Sequence, residues 1–489
     1  MSIKAGNFRT SHYQTLPDEF YTFVKPQPLE AMKWACWNPS LAHEMGLDGK
    51  PSSELLSRVL SGQVNSESHS LAMKYAGHQF GVQNPDLGDG RGLLLCDIET
   101  PNGAFVELHL KGAGRTPYSR MGDGRAVLRS TIREYLASEA MAGLGIPTTR
   151  ALAIISSESD VYRERAEPGA MLLRTTPTHI RFGHFEHFYF TKQHDKLQQL
   201  ADFTIEHYYP HISFDEQRYI TFFKEVVSRT ASLIAKWQAV GFAHGVMNTD
   251  NMSILGETMD YGPYAFMDDY EPGLICNHSD YQGRYAFNMQ PGIGLWNLQV
   301  LAYVLTPLIG RDELNDALES YQTILNLEYS SNMRAKLGLF SKDESDGELF
   351  ESLFALMSEA KVDYTNMFRA LSQLDHEEDP ISPMFQHTTE RAQEWLKTYK
   401  ARCLREGFDG QPDVDFSLRA AFMRSVNPKF VMRNYLLQQA IELAEEGDYS
   451  VVETLLKLAQ QPFDEHNEEH AYAQPAPDWG KELVISCSS

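Results

Sequence analysis

A short polar stretch near the middle of the chain holds side chains that could act on phosphates. It covers residues 244–251 and is followed, after a short apolar run, by Asp260. The carboxylates of Asp250 and Asp260 and the amide of Asn251 flank this strand-like run, which is a common way to hold a divalent cation against phosphate groups. We therefore expect this stretch to be the centre of the chemistry.

The spacing within the stretch is similar to that of a protein kinase, whose catalytic loop H-R-D-x-x-x-x-N precedes a metal-binding D-F-G. His244 and Asn251 stand at the kinase spacing, and Asp260 with Gly262 can replace D-F-G. The position of the kinase catalytic Asp is Val246, which cannot accept a proton. These residues leave two alternatives open: an inactive kinase, or an enzyme that catalyses a different reaction.

The segments that would position a nucleotide come earlier in the chain. A glycine-rich turn at residues 88–92 precedes an apolar run, and the alternating run 105–111 predicts a partner strand that ends at Lys111. Kinases use such a loop to cover the nucleotide phosphates and such a Lys to reach them. Taken singly, a glycine-rich turn is more often only a turn and a Lys at the end of a strand is usually solvated, so the order of the two in the chain carries the prediction.

Three further charged residues fit the same order. A helix is predicted over 128–141, where Glu134 is placed to hold Lys111 as a kinase helix does. Arg174 and Arg181 leave a predicted strand, beyond a turn expected at Pro168, and guanidinium groups match phosphate oxygens well. The alternative for this Arg pair is that it only neutralises acidic neighbours.

The overall pattern is β-rich first and helical afterwards, which predicts an α+β, protein-kinase-like two-lobed fold. We expect an N-terminal extension packed on the core, a nucleotide-binding N-lobe, and a helical C-lobe with a helical C-terminal extension. Ligands prefer the cleft between two such lobes. The expected boundaries are 1–70, 71–190 and 191–489. Within the last segment the apolar periodicity predicts helices over 214–240, 292–308, 311–337, 347–371, 388–406 and 428–446.

Composition limits the possible partners. The 489 residues include 43 Lys and Arg against 66 Asp and Glu, a net charge of −23. Such an acidic chain is unsuited to general nucleic-acid binding or to an anionic membrane surface. It has no apolar run long enough for a membrane span, no apolar signal-peptide core at its start, and five cysteines without a CxxC pair. These features predict a cytoplasmic protein.

Seven motifs are similar to those of the selenoprotein O family of pseudokinases, and the likeness extends over essentially the whole chain. The motifs are YAGHQFG at 75–81, LGDGR at 87–91, LKGAGRTPYSR at 110–120, IREYL at 132–136, SEAM at 138–141, HGVMNTDNMSIL at 244–255 and DYGPY at 260–264. The resemblance implies a kinase-like fold whose members transfer AMP from ATP to hydroxyl groups of protein substrates and are linked to redox homeostasis.

The resemblance also implies a role for each matching residue. Asp250 would accept the proton in place of the missing kinase Asp, Asn251 and Asp260 would ligate Mg²⁺ or Mn²⁺, and Glu134 would pair with Lys111. In this family the nucleotide lies reversed relative to kinases, with its α-phosphorus facing the acceptor. The residues implied to contact ATP are Gly88, Gly90, Arg91, Lys111, Asp123, Gly124, Arg174 and Arg181.

The C-terminal tail carries a further implication. Cys487 stands third from the end, where many eukaryotic members have selenocysteine, and the family pattern implies a disulfide between Cys487 and Cys276. Taken alone, a cysteine at this position is more often an inert exposed thiol than a redox-active one. Two alternative functions also remain at this point: UMP transfer from UTP with Mn²⁺, and a non-catalytic ATP-binding scaffold.

Overall fold

A large antiparallel sheet dominates the first part of the chain. The computed structural model describes residues 7–374, 379–406 and 416–485. Within them, nine strands form one sheet whose main path has the order β2-β4-β7-β8-β11-β10-β3, with β1 on β7 and β9 on β11. The strands are β1 (Phe8–Arg9), β2 (Tyr21–Phe23), β3 (Lys33–Trp37), β4 (Leu71–Met73), β5 (Gly77–Gln79), β6 (Val82–Asn84), β7 (Gly92–Glu99), β8 (Phe105–Lys111), β9 (Ala126–Val127), β10 (Arg150–Tyr162), β11 (Ala166–Thr176), β12 (Phe242–Ala243) and β13 (Ala265–Phe266).

Helices make up most of the second part, and a few precede it. In the described residues they are α1 (Pro39–Glu44), α2 (Ser53–Ser61), α3 (Leu128–Gly143), α4 (Phe182–Phe190), α5 (His194–Tyr208), α6 (Arg218–Val240), α7 (Gln290–Val304), α8 (Arg311–Lys336), α9 (Asp346–Ala360), α10 (Tyr364–Leu371), α11 (Thr389–Leu404), α12 (Phe416–Val426), α13 (Asn434–Glu445), α14 (Ser450–Gln460) and α15 (Asp478–Lys481). The fold is therefore mixed α and β, with one large antiparallel sheet and many helices.

The sheet is buried on both faces. Successive side chains of a strand point to opposite faces. In β7, Leu94 belongs to the core that contains α3, whereas Leu93 and Leu95 belong to a second core with Leu41 of α1 and Leu55 of α2. Because both faces are covered, β7 is apolar nearly throughout and does not alternate. This burial fixes the register in which Gly92 lies opposite Lys111.

α3 lies between the sheet and the last long helices. Twelve of its sixteen residues are buried, so the helix is covered on more than one face. Gly143 packs so closely on α14 that a Cβ atom there would lie 2.0 Å from the Ala459 carbonyl oxygen. α3 is therefore held between α14 on one side and β10 and β11 of the sheet on the other, and it carries Glu134.

Residues 244–264, where the sequence predicts the chemistry and which we call the catalytic stretch, form a loop held between two short paired strands. α6 ends at Gly241, which has a left-handed backbone (φ +70°), and the chain enters β12 at once. Phe242 of β12 pairs with Phe266 of β13. The two ends of the loop 244–264 are therefore adjacent, at the paired strands β12 and β13. This brings Asp250 and Asp260 to the same side of the core.

Two sequence predictions are wrong in detail. Pro168 lies inside β11 opposite Asp160, not in a turn; the pairing between β10 and β11 is irregular there, and such irregularities accommodate Pro. The helix predicted over 347–371 is two helices. Lys361 ends α9 in a left-handed conformation, and the Asp363 side chain caps α10 by accepting from the Asn366 N–H at 2.9 Å.

No helix in the described part of the chain combines the length and the apolar character needed to cross a membrane.

Candidate active site

A cleft of about 810 Å³ opens where the glycine-rich loop, the ends of β8 and β11, and the catalytic stretch meet. It brings together almost every residue that the sequence pointed to for nucleotide or metal binding. Those lining it are Gly88, Gly90, Arg91, Lys111, Asp123, Gly124, Arg174, Arg181, Asp250, Asn251 and Asp260. Glu134 lies behind the cleft against Lys111, and Cys487 lies outside the described residues.

Lys111 and Glu134 form the ion pair that the sequence predicts. The Lys111 ammonium donates a hydrogen bond to one Glu134 oxygen, and Arg174 donates to the other at 3.1 Å. Burial lowers the pKa of Lys111, and the Glu134 carboxylate opposes this shift. Glu134 thus fixes two cations at the ends of two neighbouring strands.

Asp260 is the meeting point of three cations. Arg174 and Arg181 each donate to one of its carboxylate oxygens at 2.5 Å, and the Lys111 ammonium lies 3.8 Å away. Burial alone would raise the pKa of Asp260, but Arg181, Arg174 and Lys111 outweigh it and hold the pKa well below the usual range. Asp260 also has a left-handed backbone (φ +56°), a strained conformation that is typical of functional sites.

Asn251 presents an oxygen towards the same region. Its side-chain amide donates to the Val246 carbonyl at 3.0 Å, which leaves the amide oxygen for other partners. Together with Asp260 this gives two oxygen donors, the type that hard divalent cations prefer. Among the described residues, no group of three or more His, Cys, Asp or Glu could hold a metal. A cation here would thus depend on these two residues and on oxygens supplied by a ligand.

Asp250 has the properties of a general base. Its side chain is only 7% exposed, and one oxygen accepts from the Gln79 amide at 3.1 Å while the other has no hydrogen-bond partner. Burial raises the pKa of Asp250 to about 7, although Arg181 and Gln79 act in the opposite direction. Such a carboxylate is poised to take a proton near neutral pH.

His244 holds the loop in place. Its Nε2 lies 2.9 Å from the Met259 carbonyl oxygen, which can only accept, so Nε2 carries the proton. Its Nδ1 then accepts from the Val246 N–H, and its ring stacks on Trp237. Because His244 is buried and its polar atoms are used in this way, its contacts are structural.

Comparison with known proteins agrees with this geometry. The family model described as protein adenylyltransferase SelO matches residues 5–460. The chain belongs to the SelO family of protein adenylyltransferases. It is 55% identical to the protein nucleotidyltransferase YdiU of Vibrio cholerae and to that of Vibrio vulnificus, and 54% identical to that of Aliivibrio salmonicida, each time over the full length of both chains. The protein is thus a nucleotidyltransferase, which settles the choice left open by Val246 against an inactive kinase.

Sequence reasoning gave no role to Gln79, although it lies within one of the SelO-family motifs. Gln79 is on the hairpin of β5 and β6, and only this fold brings it to Asp250, 171 positions later. The His78 N–H donates to the Thr249 hydroxyl at 2.6 Å, so the hairpin is fixed to the catalytic stretch. The signal in the sequence was a polar residue beside two glycines, which is too common to indicate a partner.

His109 was also missed, and it links the glycine-rich loop to the charged centre of the SelO-family site. Its Nδ1 lies 3.3 Å from Arg174 Nε, which can only donate, so Nδ1 accepts and Nε2 carries the proton towards Asp89 at 3.3 Å. Burial, together with Arg174, lowers the pKa of His109, which favours the neutral ring. The sequence contained a signal, because His109 and Lys111 stand on the same face of β8.

We predict that His109 is a positioning residue for the nucleotide. His109→Leu would remove the side chain that bonds both Asp89 and Arg174. The glycine-rich loop and the Arg174 guanidinium would then no longer be held in a fixed relative position. We expect about a tenfold weaker ATP affinity, equivalent to about 1.4 kcal/mol, measured by calorimetry on folded protein.

His109→Asn is the matched control, since its amide oxygen can take the place of Nδ1 and still accept from Arg174. It should recover part of the affinity. The positioning role is wrong if His109→Leu unfolds more easily but binds ATP as tightly as the unchanged protein.

Proposed function

We propose that this protein transfers AMP from ATP to the hydroxyl groups of Ser, Thr or Tyr side chains in protein substrates. The observation that carries the proposal is Asp250, a buried carboxylate with one unpartnered oxygen and a pKa near 7, in the same cleft as a cluster of phosphate-binding cations. The family description names adenylyl transfer, whereas the names of the relatives leave the nucleotide open.

We further propose a kinase-like arrangement of two lobes, with an N-terminal extension at 1–70, a nucleotide-binding lobe at 71–190 and a helical lobe at 191–489. The order of the glycine-rich loop, Lys111, Glu134, Asn251 and Asp260 supports it, as does the position of the cleft among them.

The cations would bind the outer phosphates of ATP. Lys111, Arg174 and Arg181 converge within one cleft, and Arg91 joins them from the loop. Guanidinium groups match phosphate oxygens, and the positive φ of Gly88 (+135°) allows the loop backbone to approach a ligand closely. With the pyrophosphate end held there, the α-phosphoryl group would face Asp250.

Asn251 and Asp260 would hold a divalent cation, Mg²⁺ or Mn²⁺, against these phosphates. Arg174 and Arg181 each engage one carboxylate oxygen of Asp260, and each oxygen keeps a second lone pair for a cation. A phosphate bound beside the cation would compete with Asp260 for these two guanidinium groups. The cation would supply charge stabilisation to the phosphoryl oxygens.

The reaction needs one proton acceptor and a stabilised leaving group. Asp250 takes the proton of the substrate hydroxyl as the oxygen attacks the α-phosphorus. The new O–P bond forms while the bond to the bridging oxygen breaks, and pyrophosphate leaves with that electron pair. Lys111 and the two arginines then balance the charge on pyrophosphate in a site where burial strengthens each interaction.

Parallel incubation of the purified protein and a heat-inactivated cell extract with α-labelled and γ-labelled ATP tests this function. We expect label on protein from the α position only, because pyrophosphate departs. Label retained only from the γ position would instead show a kinase. An added competition between ATP and UTP, with Mg²⁺ or Mn²⁺, identifies the preferred nucleotide and the cation.

Asp250→Asn is the matched variant in the same assay, since it keeps the shape and removes the proton acceptor. We expect α-label transfer to fall by about 10²- to 10⁴-fold. In the unchanged protein, transfer should rise with pH up to about 7, where Asp250 loses its proton. A pH-independent rate between 5 and 8 would argue against Asp250 as the base.

We also propose that oxidation joins Cys276 and Cys487, although Cys487 lies outside the described residues. The His278 N–H donates to the Ile485 carbonyl at 2.8 Å, so the last described residue of the tail lies beside the Cys276 segment. Cys276 packs on the catalytic stretch, where a Cβ at Gly245 would be 2.7 Å from its sulfur. A peptide map that finds both thiols free after oxidant treatment would refute the link.

A further inference from the structure

The turn between β5 and β6 has a strained backbone at an exposed aromatic residue. The two strands pair so closely that only Phe80 and Gly81 form the turn, with φ of +50° and +82°. Two-residue turns with positive φ at both positions strongly prefer Asn or Asp before Gly. A Phe there costs backbone energy, and its ring is 41% exposed at the cleft. Strain of this kind points to a function for the side chain.

Gln79, the residue before this turn, contacts Asp250, the proposed base. Gln79 donates to the Asp250 carboxylate, and the Phe80 N–H donates to the Asn248 side-chain oxygen at 3.2 Å and to the Tyr285 hydroxyl at 2.9 Å. A Cβ at Gly77 would lie 2.8 Å from Asp250, so the hairpin touches the catalytic stretch directly. The turn is therefore fixed on the segment that carries Asp250, and the Phe80 ring packs against the Tyr285 ring with 5.1 Å between the ring centres.

An unneutralised cation lies on the other side of the same turn. The Arg284 guanidinium lies 4.6 Å from the centre of the Trp296 ring and 5.7 Å from that of Tyr285, and a Cβ at Gly81 would be 3.3 Å from it. No carboxylate of the described residues forms an ion pair with Arg284, and its Nε has no hydrogen-bond partner. The neighbouring Asp280 carboxylate accepts from the backbone N–H groups of Arg284 and Tyr285 and forms no ion pair with the guanidinium. In a chain with 66 acidic and 43 basic residues, a guanidinium without an ion pair is available for an acidic partner.

The outer strand of the hairpin is open as well. Within the described residues, β6 pairs only with β5, so its second edge has free backbone groups. Val82 on this strand is 70% exposed. Open edges of this kind can bind an extended segment of another protein.

We propose that Phe80, Arg284 and the free edge of β6 form the docking surface for the acceptor protein. The surface takes an extended segment in which a carboxylate lies close to the modified hydroxyl. Phe80 packs against the segment, the Arg284 guanidinium binds its carboxylate, and the hydroxyl is directed into the cleft towards Asp250. This inference rests on the proposed function, because it concerns the acceptor of that same reaction.

Phe80→Asn separates docking from folding. Asn suits a left-handed turn better than Phe, so the variant should unfold at the same or a higher temperature. We expect kcat/KM for the acceptor to fall about tenfold, as for loss of a central aromatic contact, with ATP affinity unchanged. Lys361→Asn is the matched control, since Lys361 also has a left-handed backbone (φ +50°) and is exposed in the helical part. It should not change acceptor turnover.

Arg284→Glu tests the acidic preference. The acceptors are synthetic peptide pools with a central Ser, Thr or Tyr flanked by Asp, Ala or Lys, and the measurement is α-label transfer. The unchanged protein should favour the Asp-flanked pool, and Arg284→Glu should shift the ratio of Asp- to Lys-flanked transfer about tenfold or more towards Lys. Arg391→Glu, at an exposed Arg in α11, should leave the ratio unchanged.

The outcomes separate the two proposals. If the unchanged protein transfers no α-label to any peptide pool or to the proteins of a cell extract, the proposed function itself fails. If it transfers α-label without an acidic preference, or if Arg284→Glu keeps that preference, the docking surface is wrong while the function stands. Full acceptor turnover by folded Phe80→Asn also overturns the docking surface.

Discussion

The rest of the site depends on one buried charge cluster, in which Asp260 is bound by Arg174 and Arg181, with Lys111 beside it and Glu134 behind. Each of these groups comes from a different part of the fold. The cluster therefore forms only when the sheet, α3 and the catalytic stretch are all in place. Its three cations exceed its two carboxylates, so it carries a surplus of positive charge for an anionic ligand.

Burying such a cluster does not by itself favour folding. Desolvation of paired charges roughly cancels their attraction, and an apolar replacement is often as stable. The benefit of the cluster is in binding phosphate. Its cations are already oriented, so they need little rearrangement when negative charge develops on the phosphate oxygens. Burial also raises the pKa of Asp250 to about 7, which supports the proposal that Asp250 replaces the Asp that kinases have at the Val246 position.

The sequence predicted those site residues whose neighbours can be inferred from the order and spacing of residues along the chain. The pairing of Lys111 with Glu134 follows from the order of elements in a kinase-like fold. The nearness of Asp250, Asn251 and Asp260 follows from their spacing in the chain. Gln79 and His109 could not be found in this way, because their partners lie 171 and 65 positions away and their roles arise from tertiary packing. The turn expected at Pro168 failed for a related reason: an irregularity in strand pairing overrode the local preference of Pro.

The central claim is that ATP phosphates compete with the Asp260 carboxylate for Arg174 and Arg181. The stability of Asp260→Asn with and without metal-free ATP tests this claim most directly. Asn suits the left-handed backbone but removes the charge between Arg174 and Arg181. Without ATP, we expect the free energy of unfolding to fall by about 3–5 kcal/mol, because two buried guanidinium groups lose the Asp260 carboxylate. Metal-free ATP should then stabilise the variant more than the unchanged protein, since phosphates no longer compete with Asp260. Equal stability without ATP, together with equal stabilisation by ATP, would contradict the account.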